Sequence, residues 1–279
     1  MDNIYNNRFN QHNHPISSKT PMKPELSFLI CGLEHSGTTM ASDLFREHPE
    51  IESGFECGVL LCEKPNDFQN FTPFRNHMAV GWGINEEDLI YACNAESFEN
   101  FYQRLFERSS IVQNNQPKII FDKTPRYVTQ LQTVQSRLDL PAIVIIKDPR
   151  SLALSDFKRS GKKIEEIDSW YESWKNPKLL YMRSAYEGYQ YAWNSDRCIV
   201  IRLEDVCFNA KATVASMFDF ANLEFNCEYL DLRNKRFGNT SGSSISVNSC
   251  MQFMSILPEH IQSRITEDFS EFDRWFYDF

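Results

Sequence analysis

The chain has 279 residues, and 42% of them are hydrophobic, so it is long enough to bury a substantial core, and we expect one domain. Its formal net charge of -9 argues against general nucleic-acid binding, because an acidic surface repels a polyanion. An anionic ligand would therefore need a local pocket of basic side chains.

Residues 1–24 are rich in Asn, His and Pro, and we predict a disordered leader before a single domain at 25–279. The leader lacks the apolar segment of a secretory signal peptide. No apolar run in the chain approaches the roughly 18 residues that a membrane-spanning helix needs. We therefore expect a cytoplasmic protein without a membrane span.

After the leader, short apolar runs alternate with longer helical patterns, which is typical of βαβ units and a mainly parallel sheet. This alternation predicts an α/β fold whose sheet is flanked by helices, a three-layer sandwich like that of P-loop NTPases. The predicted strands are Leu26–Gly32, Ile51–Phe55, Lys118–Phe121, Ala142–Ile146 and Cys198–Arg202. The predicted helices are Thr39–Glu47, Ser97–Arg108, Val128–Leu138, Ser151–Arg159 and Lys211–Ala221, with a helical pair over 164–193.

One long stretch lacks a clear period. Residues 57–82 contain Pro65, Pro73, Gly81 and many aromatics without a clear period, which predicts a long, partly ordered loop that helps to shape a binding site.

The eight cysteines form no CxxC pair and no metal-finger spacing, and several lie inside apolar runs. We therefore predict buried free thiols and no metal ion.

A glycine-bearing turn follows the first predicted strand and opens the first helix. Its sequence at 32–39, GLEHSGTT, matches the phosphate-binding loop G-x-x-x-x-G-K-[ST] except that Thr38 replaces the lysine. Such a turn aims backbone N–H groups at one point, and the helix dipole adds about half a positive charge there. Without the lysine, the loop favours a ligand with a single 5'-phosphate over a triphosphate. The plainer alternative is an ordinary strand-to-helix turn capped by Ser36 and Thr38.

The string His35-Ser36-Gly37-Thr38-Thr39 resembles the 5'-phosphosulfate loop of sulfotransferases that use 3'-phosphoadenosine-5'-phosphosulfate (PAPS). In that family a Lys or Arg usually precedes Ser-Gly-Thr-Thr and contacts the bridging oxygen as the sulfate leaves. The resemblance implies this catalytic role for His35, whose charge depends on pH, and PAPS binding by all five residues.

A second candidate anion site follows the fourth predicted strand. Lys147 comes directly after the apolar run, and Ser155 lies eight positions later, about one turn beyond Ser151. Strand-end placement directs Lys147 into the crevice where α/β sheets bind ligands. The spacing resembles the 3'-phosphate site of sulfotransferases, in which an Arg is followed by a Ser, and it implies that Lys147 and Ser155 bind PAPS. A lysine keeps the charge but lacks the bidentate fork, so we expect weaker binding.

Two more segments carry a looser resemblance to the family. Residues 202–206 resemble its YEDL segment, with Leu203 in place of the tyrosine that often lies near the adenine. The stretch Arg233–Gly242 loosely resembles its glycine-bearing loop near the 3'-phosphate.

The resemblance also implies which residues carry the chemistry. Glu56, at the end of the second predicted strand, resembles the catalytic glutamate of protein-tyrosine and several bacterial sulfotransferases, which implies that it is the base. The alternative bases are Glu34, His77 and Asp122. Lys123, after the third predicted strand, resembles the lysine that stabilises the transferring sulfuryl group, and the alternative is an ion pair with Asp122.

These features predict a sulfotransferase that moves a sulfuryl group from PAPS to a small-molecule or peptide acceptor carrying a hydroxyl or amine. One rival function is a nucleotide kinase or NTPase in which Asp122 or Asp148 holds magnesium, and the missing loop lysine counts against it. Another rival is a module that binds PAPS without activity. The acceptor and the oligomeric state stay open.

Overall fold

The computed structural model describes residues 24–233 and 245–273. Within them, five parallel strands form one sheet in the order β2-β3-β1-β4-β5. The predicted α/β class and the parallel sheet are confirmed. The predicted leader lies outside the described residues apart from Pro24. The strands are β1 Glu25–Gly32, β2 Ile51–Glu52, β3 Ile119–Lys123, β4 Ala142–Ile146 and β5 Cys198–Arg202.

Helices connect the strands and cover the sheet. Among the described residues the α-helices are α1 Thr38–Arg46, α2 Phe74–Trp82, α3 Glu86–Cys93, α4 Phe98–Arg108, α5 Ser110–Asn115, α6 Leu131–Arg137, α7 Pro149–Ser160, α8 Ile167–Ser184, α9 Tyr186–Asn194, α10 Leu203–Phe208, α11 Ala210–Phe220, α12 Asn248–Met251, α13 Phe253–Ile256 and α14 Glu259–Asp268. Short 3₁₀ helices lie at Val59–Leu61, Pro65–Asn70, Pro125–Gln130, Ile164–Glu166, Cys227–Leu230 and Ser270–Phe272.

Both faces of the sheet are buried, which makes the predicted three layers. In β1, Phe28 and Ile30 face a core cluster that includes side chains of α1 and α11. Leu29 and Cys31 face the opposite cluster, which includes side chains of α4, α6, α7, α8 and α9. Successive residues of a strand point to opposite faces, so a strand that is covered on both sides is apolar throughout.

The cysteines follow the same pattern of burial. All eight are free thiols. Cys198 is half-buried, Cys227 is exposed, and the others are buried. The prediction of buried free thiols is therefore confirmed for six of the eight.

The stretch 57–82 differs from its prediction. It folds into two 3₁₀ helices and α2, and Val59, Leu60, Phe68 and Met78 are fully buried. The prediction of a partly ordered loop was wrong because 3₁₀ turns repeat every three residues, and their aromatic side chains leave no period of 3.6 in the sequence. These residues therefore belong to the core.

The second strand is shorter than predicted, since it ends at Glu52. Gly54 leaves the sheet to pack against Trp82, where a Cβ would lie 2.3 Å from a ring carbon. The N–H of Phe55 donates to the carbonyl of Gly81 at 3.2 Å. The chain after β2 therefore pairs with the end of α2 rather than with β3.

Strand β1 occupies the centre of the sheet, with β3 on one side and β4 on the other. Gly32, the last residue of β1, is paired with Ile145 near the end of β4. Gly32 has φ +147, and a Cβ there would lie 2.2 Å from the carbonyl oxygen of Ile145, so only glycine fits. The turns that follow β1 and β4 therefore start side by side at the carboxyl edge of the sheet.

Candidate active site

A cavity of about 520 Å³ opens at the carboxyl edge of the sheet. The loop after β1 lines one part of it, and Lys147 and Ser155, at the end of β4 and on α7, line another. The adjacency of β1 and β4 brings these two segments together. The loop residues at the cavity are Glu34, His35, Gly37, Thr38 and Thr39.

The start of α1 provides backbone donors to this cavity. The helix begins at Thr38, and its N-cap residue, Gly37, makes no side-chain capping bond. The first N–H groups of a helix have no acceptor within the helix, and the helix dipole makes this end positive. Gly37 has φ +103, and a Cβ there would lie 2.7 Å from Leu203 Cδ1, so the loop needs glycine at this position.

Ser36 lies behind the cavity wall. Its side chain is fully buried, and its hydroxyl has no hydrogen-bond partner among the described residues. Its N–H donates to the carbonyl of Leu33 at 3.1 Å. Of the five loop residues predicted to bind an anion, Ser36 is the one that the structure turns away from the cavity.

Lys147 and Ser155, which are predicted to bind a second anion, contact each other at the cavity. The ammonium of Lys147 donates to Ser155 Oγ at 2.8 Å and to the carbonyl of His35 at 3.3 Å. Burial lowers the pKa of Lys147 to about 8, against the opposing attraction of Glu204. A bound phosphate would supply the counter-charge that this ammonium lacks.

Lys158 and Arg159 also line the cavity, although the sequence analysis did not select them. They follow Ser155 by three and four positions on α7. Residues at these spacings share one face of a helix, so the helical period was the signal that could have found them. With Lys147, they give an acidic chain a local cluster of basic groups.

Glu56 and Lys123 form an ion pair beside the cavity. Lys123 Nζ donates to Glu56 Oε1 at 3.0 Å and lies 4.4 Å from the ring centre of Phe55. The Lys123 side chain is only 1% exposed, and its burial lowers the pKa of Lys123, against the opposing attraction of Glu56. The carboxylate of Glu56 lines the cavity, whereas Lys123 lies behind it. The partner of Lys123 is therefore Glu56 rather than Asp122.

The alternative carboxylates have structural partners. Burial raises the pKa of Asp122, although its oxygens accept hydrogen bonds from Tyr102, Tyr127 and Thr124. Asp148 caps α7 and binds the side chain of Arg150. Neither lines the cavity, and nor does His77, whereas Glu34 does.

Leu203 lies in the cavity wall with Met40 and Leu232. These residues give the cavity an apolar side next to its basic groups. Of the predicted stretch Arg233–Gly242, only Arg233 is described, and it pairs with Asp231. None of residues 57–82 lines this cavity, and the role of that stretch in shaping an acceptor site stays a prediction.

In the part of the chain that the structure describes, no three His, Cys, Asp or Glu side chains converge as a metal site requires. No helix there combines the length and the apolar character that crossing a membrane requires.

A family model described as the sulfotransferase family matches residues 27–226, more than half of the chain. The chain belongs to the sulfotransferase family. The predicted resemblance is therefore confirmed, and the match includes both segments that are predicted to bind anions. A comparison with curated proteins finds no match.

Solved sulfotransferase structures share this fold. The sulfotransferase domain of the Synechococcus PCC 7002 olefin synthase superposes with a TM-score of 0.58 at 16% identity, covering 95% of this chain and 98% of that domain. The sulfotransferase domain from the curacin biosynthetic pathway superposes with a TM-score of 0.56 at 16% identity, covering 88% of this chain and 98% of that domain. Mouse sulfotransferase SULT7A1, complexed with PAP, superposes with a TM-score of 0.50 at 8% identity, covering 91% of this chain and 89% of the mouse chain.

Proposed function

We propose that this sulfotransferase transfers a sulfuryl group from PAPS to a hydroxyl or amine of a small-molecule or peptide acceptor. The observation that carries the proposal is that one cavity is lined both by the start of α1 and by the Lys147–Ser155 pair, the two segments predicted to bind anions. A nucleotide with a phosphate on both its 3' and 5' positions has the matching distribution of charge. That the mouse relative is complexed with PAP, the adenosine 3',5'-bisphosphate left after transfer, supports the same ligand here.

The residues of the cavity fit such a nucleotide in size and chemistry. A volume of about 520 Å³ is within the range of roughly 300–1,000 Å³ that ligand pockets have. Lys147, Lys158 and Arg159 offer cations for phosphate. The adenine would pack on the apolar side formed by Met40, Leu203 and Leu232, since Leu203 stands where an aromatic residue is usual.

In the proposed reaction, an oxygen or nitrogen of the acceptor forms a bond to sulfur as the bond from sulfur to the bridging oxygen breaks. The bridging oxygen keeps the electron pair and becomes a phosphate oxygen of PAP. The acceptor's proton goes to the carboxylate of Glu56. Lys123 holds that carboxylate in place through the 3.0 Å ion pair, and positive groups of the loop stabilise the charge on the leaving phosphate.

Thermal denaturation with two ligands tests the choice of nucleotide. PAP at about one hundred times its Kd should add about 2.7 kcal/mol to the free energy of unfolding and raise Tm by several degrees. ATP with magnesium should give no comparable shift. A shift only with ATP and magnesium would favour a kinase or NTPase and contradict the proposal.

Transfer from labelled PAPS tests the activity itself. The acceptors are a panel of phenols, alcohols, amines and tyrosine peptides, and at least one of them should become labelled. Binding of PAP without transfer to any acceptor would instead make the protein a PAPS-binding module without activity.

We also propose that the protein acts in the cytoplasm. All eight cysteines are free, and none forms a disulfide in the structure. Thiols stay reduced in the cytoplasm, whereas secreted proteins of similar cysteine content usually form disulfides. Mass measurement of the cellular protein after alkylation should find eight modified thiols.

A further inference from the structure

His35 lies where two cavities meet. It lines the cavity assigned to PAPS and also a second cavity of about 490 Å³ beside α7 and α8. Its backbone is left-handed, with φ 69, which is uncommon for a residue other than glycine. The ammonium of Lys147 donates to its carbonyl at 3.3 Å, so the surrounding structure holds this backbone in place.

The ring of His35 is bound by Asp156, the residue after Ser155 on α7. His35 Nδ1 is hydrogen-bonded to Asp156 Oδ1. The other carboxylate oxygen accepts a hydrogen bond from Trp174 Nε1 at 2.8 Å and forms an ion pair with Lys178 Nζ at 3.0 Å. Burial by itself would raise the pKa of Asp156, but the hydrogen bonds from His35 and Trp174 and the charge of Lys178 outweigh it and lower the pKa to about 2.

An ionised carboxylate can only accept hydrogen bonds, so Nδ1 of His35 must carry a hydrogen. Nε2 is then the one ring nitrogen that gains or loses a proton. Because Asp156 occupies Nδ1, Nε2 is left for the cavities that His35 lines.

We infer that Asp156 is a positioning residue that fixes the ring of His35 for the leaving group of PAPS. Asp156 accepts a hydrogen bond from Nδ1, and the imidazolium form of the ring donates its Nε2–H to an oxygen of the departing phosphate. The inference rests on the proposed function. The contact orients a histidine at the position where the family usually has a Lys or Arg.

Other charged and titratable groups share the two cavities with His35. The first cavity also contains Glu56, Lys147 and Lys158. The second contains Lys178 and Tyr181, and both contain Glu34 and Arg159. Of these groups, Lys178 contacts Asp156 directly and competes with His35 for its charge.

Two substitutions should therefore act differently on the ring of His35. Asp156→Asn removes the ionised acceptor, so the hydrogen of the neutral ring should no longer be held on Nδ1. Lys178→Met removes a neighbouring cation but keeps the His35–Asp156 bond, so the hydrogen should stay on Nδ1. A contact that only supports the fold would not set the position of this hydrogen.

Heteronuclear NMR of the histidine ring nitrogens locates this hydrogen without any nucleotide. The His35 signals are assigned from their absence in His35→Lys. In the wild type, the neutral ring should carry its hydrogen on Nδ1. The inference is overturned if that hydrogen is on Nε2 in the wild type or in Lys178→Met, or if it stays on Nδ1 in Asp156→Asn. Should Asp156→Asn not fold, the spectra of the wild type and of Lys178→Met still decide.

The value of kcat at saturating PAPS gives the second measurement. It should fall in Asp156→Asn, and Asp156→Asn should not lower it further in a His35→Lys background, where the cation is independent of the aspartate. If the wild type transfers no sulfuryl group, the proposed function fails while the NMR result still judges the His35–Asp156 pair. If transfer occurs but the kcat of Asp156→Asn matches the wild type, the inference alone fails.

Discussion

Lys147 should make the affinity for PAP depend on pH. Its side chain is 5% exposed, and burial lowers the pKa of Lys147 to about 8 against the opposing attraction of Glu204. Only the protonated ammonium attracts phosphate, so affinity is highest below that pKa and falls as the pH rises through it. One pH unit above the pKa, roughly one-tenth of the side chains keep the proton, which weakens binding by about tenfold, or about 1.4 kcal/mol.

Two substitutions separate the charge of Lys147 from its titration. Lys147→Arg keeps the charge at every pH of the experiment, because a guanidinium is not deprotonated in proteins, and its affinity should stay level between pH 7 and pH 9. Lys147→Met removes the charge. A hydrogen bond to a charged group contributes about 1.5–3 kcal/mol. PAP affinity should therefore fall by about 10- to 150-fold at pH 7, with no further loss at pH 9.

Isothermal titration calorimetry with PAP at pH 7, 8 and 9 measures these affinities. Lys211→Met is the matched control, because Lys211 is exposed and lines neither cavity. The reasoning is refuted if the PAP affinity of the wild type does not change with pH. It is also refuted if Lys147→Met binds PAP as tightly as the control.

Three other substitutions test the loop, the base and the core. Gly37→Ala should weaken PAP binding and lower the free energy of unfolding by about 1–3 kcal/mol, since its φ is +103 and its Cβ would lie 2.7 Å from Leu203. Calorimetry and chemical denaturation measure the two losses. Glu56→Gln should lower transfer from labelled PAPS by about 10²- to 10⁴-fold while PAP still raises Tm, and unchanged transfer would remove Glu56 as the base. Asp122→Asn should cost about 1–3 kcal/mol of unfolding free energy, because amide hydrogens would face two tyrosine hydroxyl donors. A denaturation curve like that of the wild type would contradict this explanation.

The central strands and the glycine-bearing turn after β1 could be predicted from the sequence because their causes are local. Ala142–Ile146 is a short apolar run, and both faces of β4 are covered, so burial shows directly in its composition. The glycine-bearing turn of residues 32–39 has a backbone that few other sequences adopt. Lys147 and Ser155, which were paired from their sequence spacing, are also in contact in the fold, because a two-residue turn joins β4 to α7.

The contacts that decide the chemistry depend on residues far apart in the chain. The partner of His35 lies on α7, 121 positions away, and the partner of Glu56 lies at the end of β3, 67 positions away. No local pattern distinguishes Asp156 from a surface carboxylate on a helix, or Lys123 from a solvated lysine. The sequence by itself determined the order of the strands' apolar runs and the glycine-bearing turn, since backbone conformation and burial follow short-range patterns. Only the tertiary structure decided which charged groups meet, because the packing of helices on the sheet sets those distances.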